Sequence, residues 1–186
     1  DGVFIVEANY WGGMVKNTNY SLIYHDHFSY FSFNVWQKFL KQFGFELVDA
    51  IVTEAQGGSM RMTIARKGKY EPNDNVKEWL QEEKNSKLNK LITCQLFSDN
   101  VKFAAKKLNK LVNQIKKNGG IIVGYGAAAK GFTILNMSKI GEKLIGCIDD
   151  SPAKQNMFVP LNHIPIYSRE DCIFEFSHIL ILPWNY

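Results

Sequence analysis

Three β-branched or apolar residues, Ile121-Ile122-Val123, run directly into Gly124-Tyr125-Gly126-Ala127-Ala128-Ala129-Lys130-Gly131, and a helical pattern follows to about Met137. No other stretch limits the fold as tightly. A strand that turns through G-x-G-x-x-A into a helix opens a βαβ unit, and Leu144 to Ile148 supplies the second buried strand. In such a turn the first glycine allows the tight reversal and the second lets backbone N–H groups approach a phosphate. The small Ala129 lets the helix pack closely on the strand. The helix N-terminus adds partial positive charge, to which Lys130 adds a full one. Asp149 and Asp150 end the second strand about 20 residues beyond the turn, where a carboxylate can accept ribose hydroxyls. Gly124, Tyr125, Gly126, Lys130 and Asp149 are therefore candidates for holding a nucleotide. The same glycines also suit a turn that only packs a helix onto a sheet, so both readings stay open. A Lys130 ammonium facing the mouth of the loop favours phosphate contact; one running into solvent favours a scaffold.

Around this unit the chain reads as α/β. Val3 to Val6 has the apolar pattern of a strand buried on both faces of a parallel sheet, and polar and aromatic loop residues follow. Val35, Trp36, Phe39, Leu40 and Phe43 fall at helical spacing between Ser32, a suitable N-cap, and Gly44, a helix stop. Phe45 to Thr53 and Met60 to Arg66 read as a hairpin. Lys67 to Asn75 turns to Gly, Pro, Asn and charge and marks a boundary, giving domains at 1–68 and 69–186. Helices are expected over Asn75 to Leu91 and Ser98 to Lys117, the second with Lys102, Lys106, Lys110, Lys116 and Lys117 opposite its apolar stripe, as a solvated face or a polyanion surface. His163 to Ile166 and His178 to Leu182 look like further parallel strands, joined by a short helix near Arg169 to Phe174.

With 186 residues, 46% of them hydrophobic, the chain can bury a full core without disulfides. Cys94, Cys147 and Cys172 are odd in number and widely spaced, which fits a reducing cytoplasm better than a disulfide framework and leaves no self-contained metal site. A net charge of +4 is too mild to indicate nucleic acid, and no apolar run approaches the roughly 20 residues that span a bilayer, so no membrane partner is expected. The chain opens on Asp1-Gly2 and enters a strand at once, as a piece of a larger protein would.

A second cluster lies between the first strand and the first helix: Tyr24-His25-Asp26-His27-Phe28-Ser29-Tyr30-Phe31. Loops at strand C-termini hold the active sites of α/β folds. An imidazole with a pKa near 6.5 can take a proton at neutral pH, and an adjacent carboxylate or phenol can orient it. A structural histidine is the plainer reading, and metal binding lacks a third ligand region. Glu7, ending the preceding strand, can face the same cleft or be an ordinary surface carboxylate.

Taken together, Glu7, Tyr24 to Ser32, Gly57-Gly58-Ser59-Met60-Arg61, Gly124 to Gly131, Asp149, Lys154-Gln155, His163 to Ile166 and Ile181-Leu182-Pro183-Trp184-Asn185 resemble the S-adenosylmethionine-dependent C-methyltransferases of nucleotide-linked deoxysugars. The resemblance implies the end of a Rossmann-like methyltransferase sheet followed by a second Rossmann-like, largely parallel domain. It implies upstream domains carrying zinc and most of the S-adenosylmethionine site, so that this piece is inactive alone. The reaction it implies deprotonates a sugar carbon next to a keto group, and the enolate attacks the sulfonium methyl group. His27 matches the family's base, Tyr24 and Asp26 its supporting groups, and Glu7 and His25 stand beside the substrate; the family more often has Glu where Asp26 stands. A nucleotide-linked sugar is the implied partner. A noncatalytic nucleotide-sugar binding module and a nicotinamide-dependent oxidoreductase are the alternatives.

Overall fold

The computed structural model describes residues 2–185, a mixed α/β chain that divides into two compact units. The first comprises the stretch up to Asn19 with His27–Ser98; the second comprises Tyr20–Asp26 with the stretch from Asp99 onward.

In the first unit, β1 (Phe4–Asn9), α1 (Trp11–Asn17), α2 (Phe33–Gln42), β2 (Phe45–Thr53), β3 (Ser59–Arg66) and α3 (Asp74–Asn85) follow in order, and α4 (Leu91–Lys117) begins here. The sheet runs β1-β3-β2 with both pairings antiparallel. Alternation sends Leu47, Ala50, Met60, Met62 and Ile64 into a core with Tyr10, Phe33, Leu40, Val76 and Leu88. Each large apolar side chain buried there contributes about 1.5–3 kcal/mol. Helix α2 starts where the sequence expects, with the Ser32 hydroxyl accepting from Val35 N at 3.4 Å, and ends before Gly44 at φ +74°.

Three expectations change in this unit. Strand β1 is antiparallel to its neighbour rather than a member of a parallel sheet, and Phe4 and Ile5 are 62% and 61% exposed. An apolar run reports potential for burial, whereas strand direction is set by the partner, here the hairpin's second strand. The loop after β1 contains α1, which the pair Gly12-Gly13 hid, because glycine is a poor helix former. Gly12 is there for space: a Cβ would sit 2.4 Å from the Tyr10 ring. Helix α3 stops at Asn85, not Leu91, because Lys87 takes a left-handed φ of 54° that turns Leu88 inward, and α4 then starts at Leu91 instead of Ser98.

The second unit holds the rest of α4, then β4 (Ile122–Tyr125), α5 (Ala129–Ser138), β5 (Leu144–Ile148), β6 (Ile166–Tyr167) and β7 (His178–Ile181). All pairings in its sheet, ordered β6-β5-β4-β7, are parallel. Val112, Ile122, Leu135, Ile140, Leu144, Cys147, Val159, Ile164 and Leu182 form its core, and the α4 lysines lie exposed on the opposite face. The βαβ unit forms as the sequence predicts. Strand β6 is shorter than the run His163 to Ile166, since Pro165 has no N–H for the ladder. No helix forms at Arg169 to Phe174. Its half-buried residues, Cys172 and Phe174, are two apart, the spacing of extended chain, and a reciprocal bond between Ser168 and Asp171 closes a single turn instead.

Candidate functional site

In the first unit the period of two along β1 sorts its side chains. Val6 and Ala8 pack on the core, and Glu7 and Asn9 take the other face. Register places Glu7 opposite Arg61, and Arg61 opposite Ile51. The Glu7 carboxylate accepts from Arg61 Nε at 2.7 Å and from Thr53 Oγ1 at 3.2 Å, so one carboxylate links all three strands. Two residues on, Asn9 Nδ2 lies 3.2 Å from Nδ1 of half-buried His27 and 3.5 Å from its Nε2. With the amide donating to Nδ1, the neutral ring carries its proton on Nε2.

The segment behind His27 is tied down just as closely. Phe31 O accepts from Trp11 N at 2.8 Å, and Phe31 bridges to Tyr10. At the start of α2, buried Glu83 of α3 accepts from Phe33 N at 2.7 Å, Asn34 N at 2.9 Å and Asn34 Nδ2 at 3.0 Å. Burial first, then the carboxylates of Glu83 and Glu82, raise the pKa of the nearby Tyr10 well above that of a free tyrosine. The preceding residues belong to the second unit. His25 Nε2 pairs with Asp26 Oδ1 at 3.3 Å, with both side chains mostly exposed, and the Tyr24 ring lies edge-on to His25 at 6.2 Å. The pair is a surface contact of little energetic weight. Among the sequence candidates, then, Asp26 partners His25, and the residue beside His27 is Asn9, which sequence reasoning missed although its alternation with Glu7 is visible. A cavity of about 650 Å³ in the first unit, walled by Tyr10, Gly12, Lys16, Gly57, Gly58 and Trp79, includes neither His27 nor Glu7. The side-chain chemistry carries more weight here than cavity size.

In the second unit the glycine-rich turn is closed by the protein itself. Gly126 N donates to Ile148 O at 2.7 Å, Ala127 N to Asp149 Oδ2 at 2.6 Å and Ala128 N to Gly126 O at 2.8 Å. Asp149, buried at the end of β5, also accepts from Ser151 N at 2.9 Å and Lys154 Nζ at 3.1 Å. Gly126 has φ +81°, and a Cβ there would meet Pro183 at 2.6 Å; one on Gly131 would meet Leu182 at 2.5 Å. Leu144, Cys147 and Leu182 surround Gly124. Lys130 is buried in the first turn of α5 and does not run out into solvent. Beside the loop, Tyr125 Oη donates to Asp150 at 2.8 Å and accepts from Arg169 Nη2 at 2.6 Å, and Arg169 also grips Asp150 through Nε and Nη2. Hydrogen bonds from Arg169, then Tyr125, lower the Asp150 pKa. Burial, with Asp149 nearby, pushes the Cys147 thiol up to about 12, which keeps it protonated and inert.

Among the described residues no group of three or more His, Cys, Asp or Glu side chains could hold a metal, and no helix is long and apolar enough to cross a membrane. Residues 54–186 match the family described as the C-methyltransferase C-terminal domain. Over 189 aligned residues the chain is 31% identical to the C-methyltransferase NovU of Streptomyces niveus, covering 100% of this chain and 45% of that relative. It therefore spans less than half the length of the curated relative it matches. The profile match runs from the turn between β2 and β3 through the whole parallel sheet, well over half of the residues, and the chain belongs to the C-methyltransferase C-terminal domain family.

Proposed function

We propose that the chain is the C-terminal part of an enzyme that moves a methyl group from S-adenosylmethionine to a carbon next to the keto group of a nucleotide-linked sugar, with His27 as the base. The observation that carries this reading is His27 itself, half-buried at the carboxyl end of β1 and held by Asn9. Strand order supports it. A sheet ending β1-β3-β2, its last strand inserted antiparallel between the other two, is how a methyltransferase-type sheet finishes, and β6-β5-β4-β7 follows the 3-2-1-4 order of a Rossmann-like unit.

The described residues do not fit S-adenosylmethionine. The turn from Gly124 to Gly131 has its N–H groups at positions 126 to 128 bonded internally and its second glycine backed by Pro183. The donor site is assigned to the remainder of the enzyme, and the residues of this chain act on the acceptor alone. A C–H next to a ketone is a weak acid, so its removal needs an unprotonated imidazole nitrogen within about 2.6–3.2 Å. While Asn9 donates to Nδ1 that lone pair is occupied and Nε2 carries the proton; His27 supplies the base at Nε2 once Asn9 presents its amide oxygen and keeps the proton on Nδ1. The proton passes to the ring, and the electron pair stays on the enolate. Glu7, fixed by Arg61 and Thr53, sets the polar face beside it, and Tyr24, Asp26 and His25 are supporting groups in the same loop. In the second unit, Lys130 and Tyr125 are the groups from which a phosphate contact would come, with Gly124, Gly126 and Asp149 shaping the turn behind them.

Replacing His27 with Ala in the full-length enzyme is expected to lower kcat by about 10²- to 10⁴-fold. Deuterium wash-in at the carbon next to the keto group, followed by NMR without methyl donor, should disappear with it. Wash-in at the wild-type rate would sink the base assignment.

A further inference from the structure

We propose that Glu83 is a positioning residue for His27, holding the two segments that flank the imidazole in one arrangement through the start of α2. The inference rests on the reading of His27 as the base. Glu83 is separated from His27 in sequence by α2, the hairpin and most of α3, yet it joins both sides of the histidine's surroundings. On one side it takes the N–H of Phe33, whose ring packs on Tyr10 with centroids 5.2 Å apart, and Tyr10 directly follows Asn9, the residue that touches the imidazole. On the other it takes Asn34 N and Asn34 Nδ2, fixing the point where the loop that carries His27 enters α2. Between these anchors the Trp11 N to Phe31 O bond stitches the two segments together.

The chemistry of the site is unusual for simple packing. A carboxylate 2% exposed could be replaced by an apolar side chain if only volume were needed. Here the negative charge faces the N-terminus of α2, where the free N–H groups and the helix dipole stabilise it, and each of its bonds has a fixed direction. Leu80 O, also on α3, takes the second proton of the Asn34 amide at 3.0 Å, and Asn89 reaches the Ser32 cap at 3.1 Å. The segment from 80 to 89 thus clamps the first turn of α2 at several points, and the Phe33 ring carries the contact across to Tyr10. A shift of that turn moves the loop leading back to His27 relative to Asn9.

Glu83→Gln keeps the shape but removes the charge and puts an amide N–H₂ against a backbone donor. In the full-length enzyme it is expected to lower kcat about tenfold with KM for the nucleotide-sugar changed less than about twofold, while in a His27→Ala background the same substitution changes residual kcat less than twofold. Asn34→Ala, which deletes one donor and leaves the carboxylate, should give a smaller loss of the same kind. Equal losses with and without His27, or a lowered melting temperature with kcat unchanged, would overturn the proposal. Histidine NMR spectra separate it from the parent reading: Glu83→Gln should shift the His27 ring signals and leave those of exposed His163 in place. If His27→Ala leaves kcat intact, the base assignment fails while the NMR shift still reports whether Glu83 positions the ring; an unshifted His27 resonance overturns the positioning role regardless of the base.

Discussion

Each unit buries a carboxylate against backbone N–H groups, Glu83 at the first turn of α2 and Asp149 in the glycine-rich turn before α5, but the two differ in what else the carboxylate touches. Glu83 is surrounded by neutral donors, two backbone N–H groups and an amide, and reaches them from a helix distant in sequence. Asp149 lies at the end of the strand next to the loop it closes and shares its charge with Lys154, which is 45% exposed and can turn to water. The contrast teaches that burial of a charge is not one situation. With a partly exposed cation beside it, loss of the carboxylate leaves a group that water can still solvate; among neutral buried donors, its loss leaves several groups with no acceptor at all.

The sharpest way to break this comparison is to remove both carboxylates. Glu83→Ala is expected to cost about 3–4 kcal/mol in urea unfolding, because several donors lose their acceptor in a dry site. Asp149→Ala should cost clearly less, and the reverse ranking would show that the cation, not the neutral shell, makes a buried carboxylate indispensable. Next in size is the loop that Asp149 closes. Gly126→Ala must accept a left-handed backbone and a Cβ 2.6 Å from Pro183, for a loss of about 2–3 kcal/mol by the same assay. A neutral result would mean that the loop opens easily and is not held by its own contacts.

Smallest is a carboxylate at the margin of burial. Hydrogen bonds from Asn73 and Asn75 lower the Asp49 pKa, with a weak opposing effect of burial. Since the native pKa lies below the unfolded value near 3.9, the stabilisation is complete above that value and is lost as pH falls through the lowered native one. Melting temperatures from pH 5 to pH 2 should therefore fall less steeply for Asp49→Asn than for wild type, a difference worth about 1 kcal/mol or less. Parallel curves would place the acid sensitivity elsewhere.

Much of the secondary structure was legible because it depends on short-range spacing. The helix from Phe33, the hairpin, the long lysine-bearing helix and the strand–turn–helix at Gly124 all follow from patterns within a dozen residues. The errors fell where a side chain answered to something remote. Gly12 is small because the Tyr10 ring crosses it, α3 ends early because Leu88 turns into the core, and the run after Ser168 closes one turn and does not continue as a helix because Phe174 packs back on Tyr167. At the candidate site His27 and Glu7 stood out by type and position. Asn9 was readable only through strand alternation, and Glu83, one acid among several on a charged helix, carried no local signal at all.

By itself the sequence determined most of the strands and helices, that a βαβ unit starts at Ile122, and the family to which the motifs belong, since periodicity, glycine placement and residue type are local properties of the chain. Tertiary structure alone decided that β3 lies between β1 and β2, that Asp149 and Pro183 close the glycine-rich turn, and that Glu83 meets the first turn of α2. These are encounters between residues far apart in sequence. Their partners are chosen when buried donors, acceptors and volumes are matched across the folded unit, a condition that no local window of residues contains.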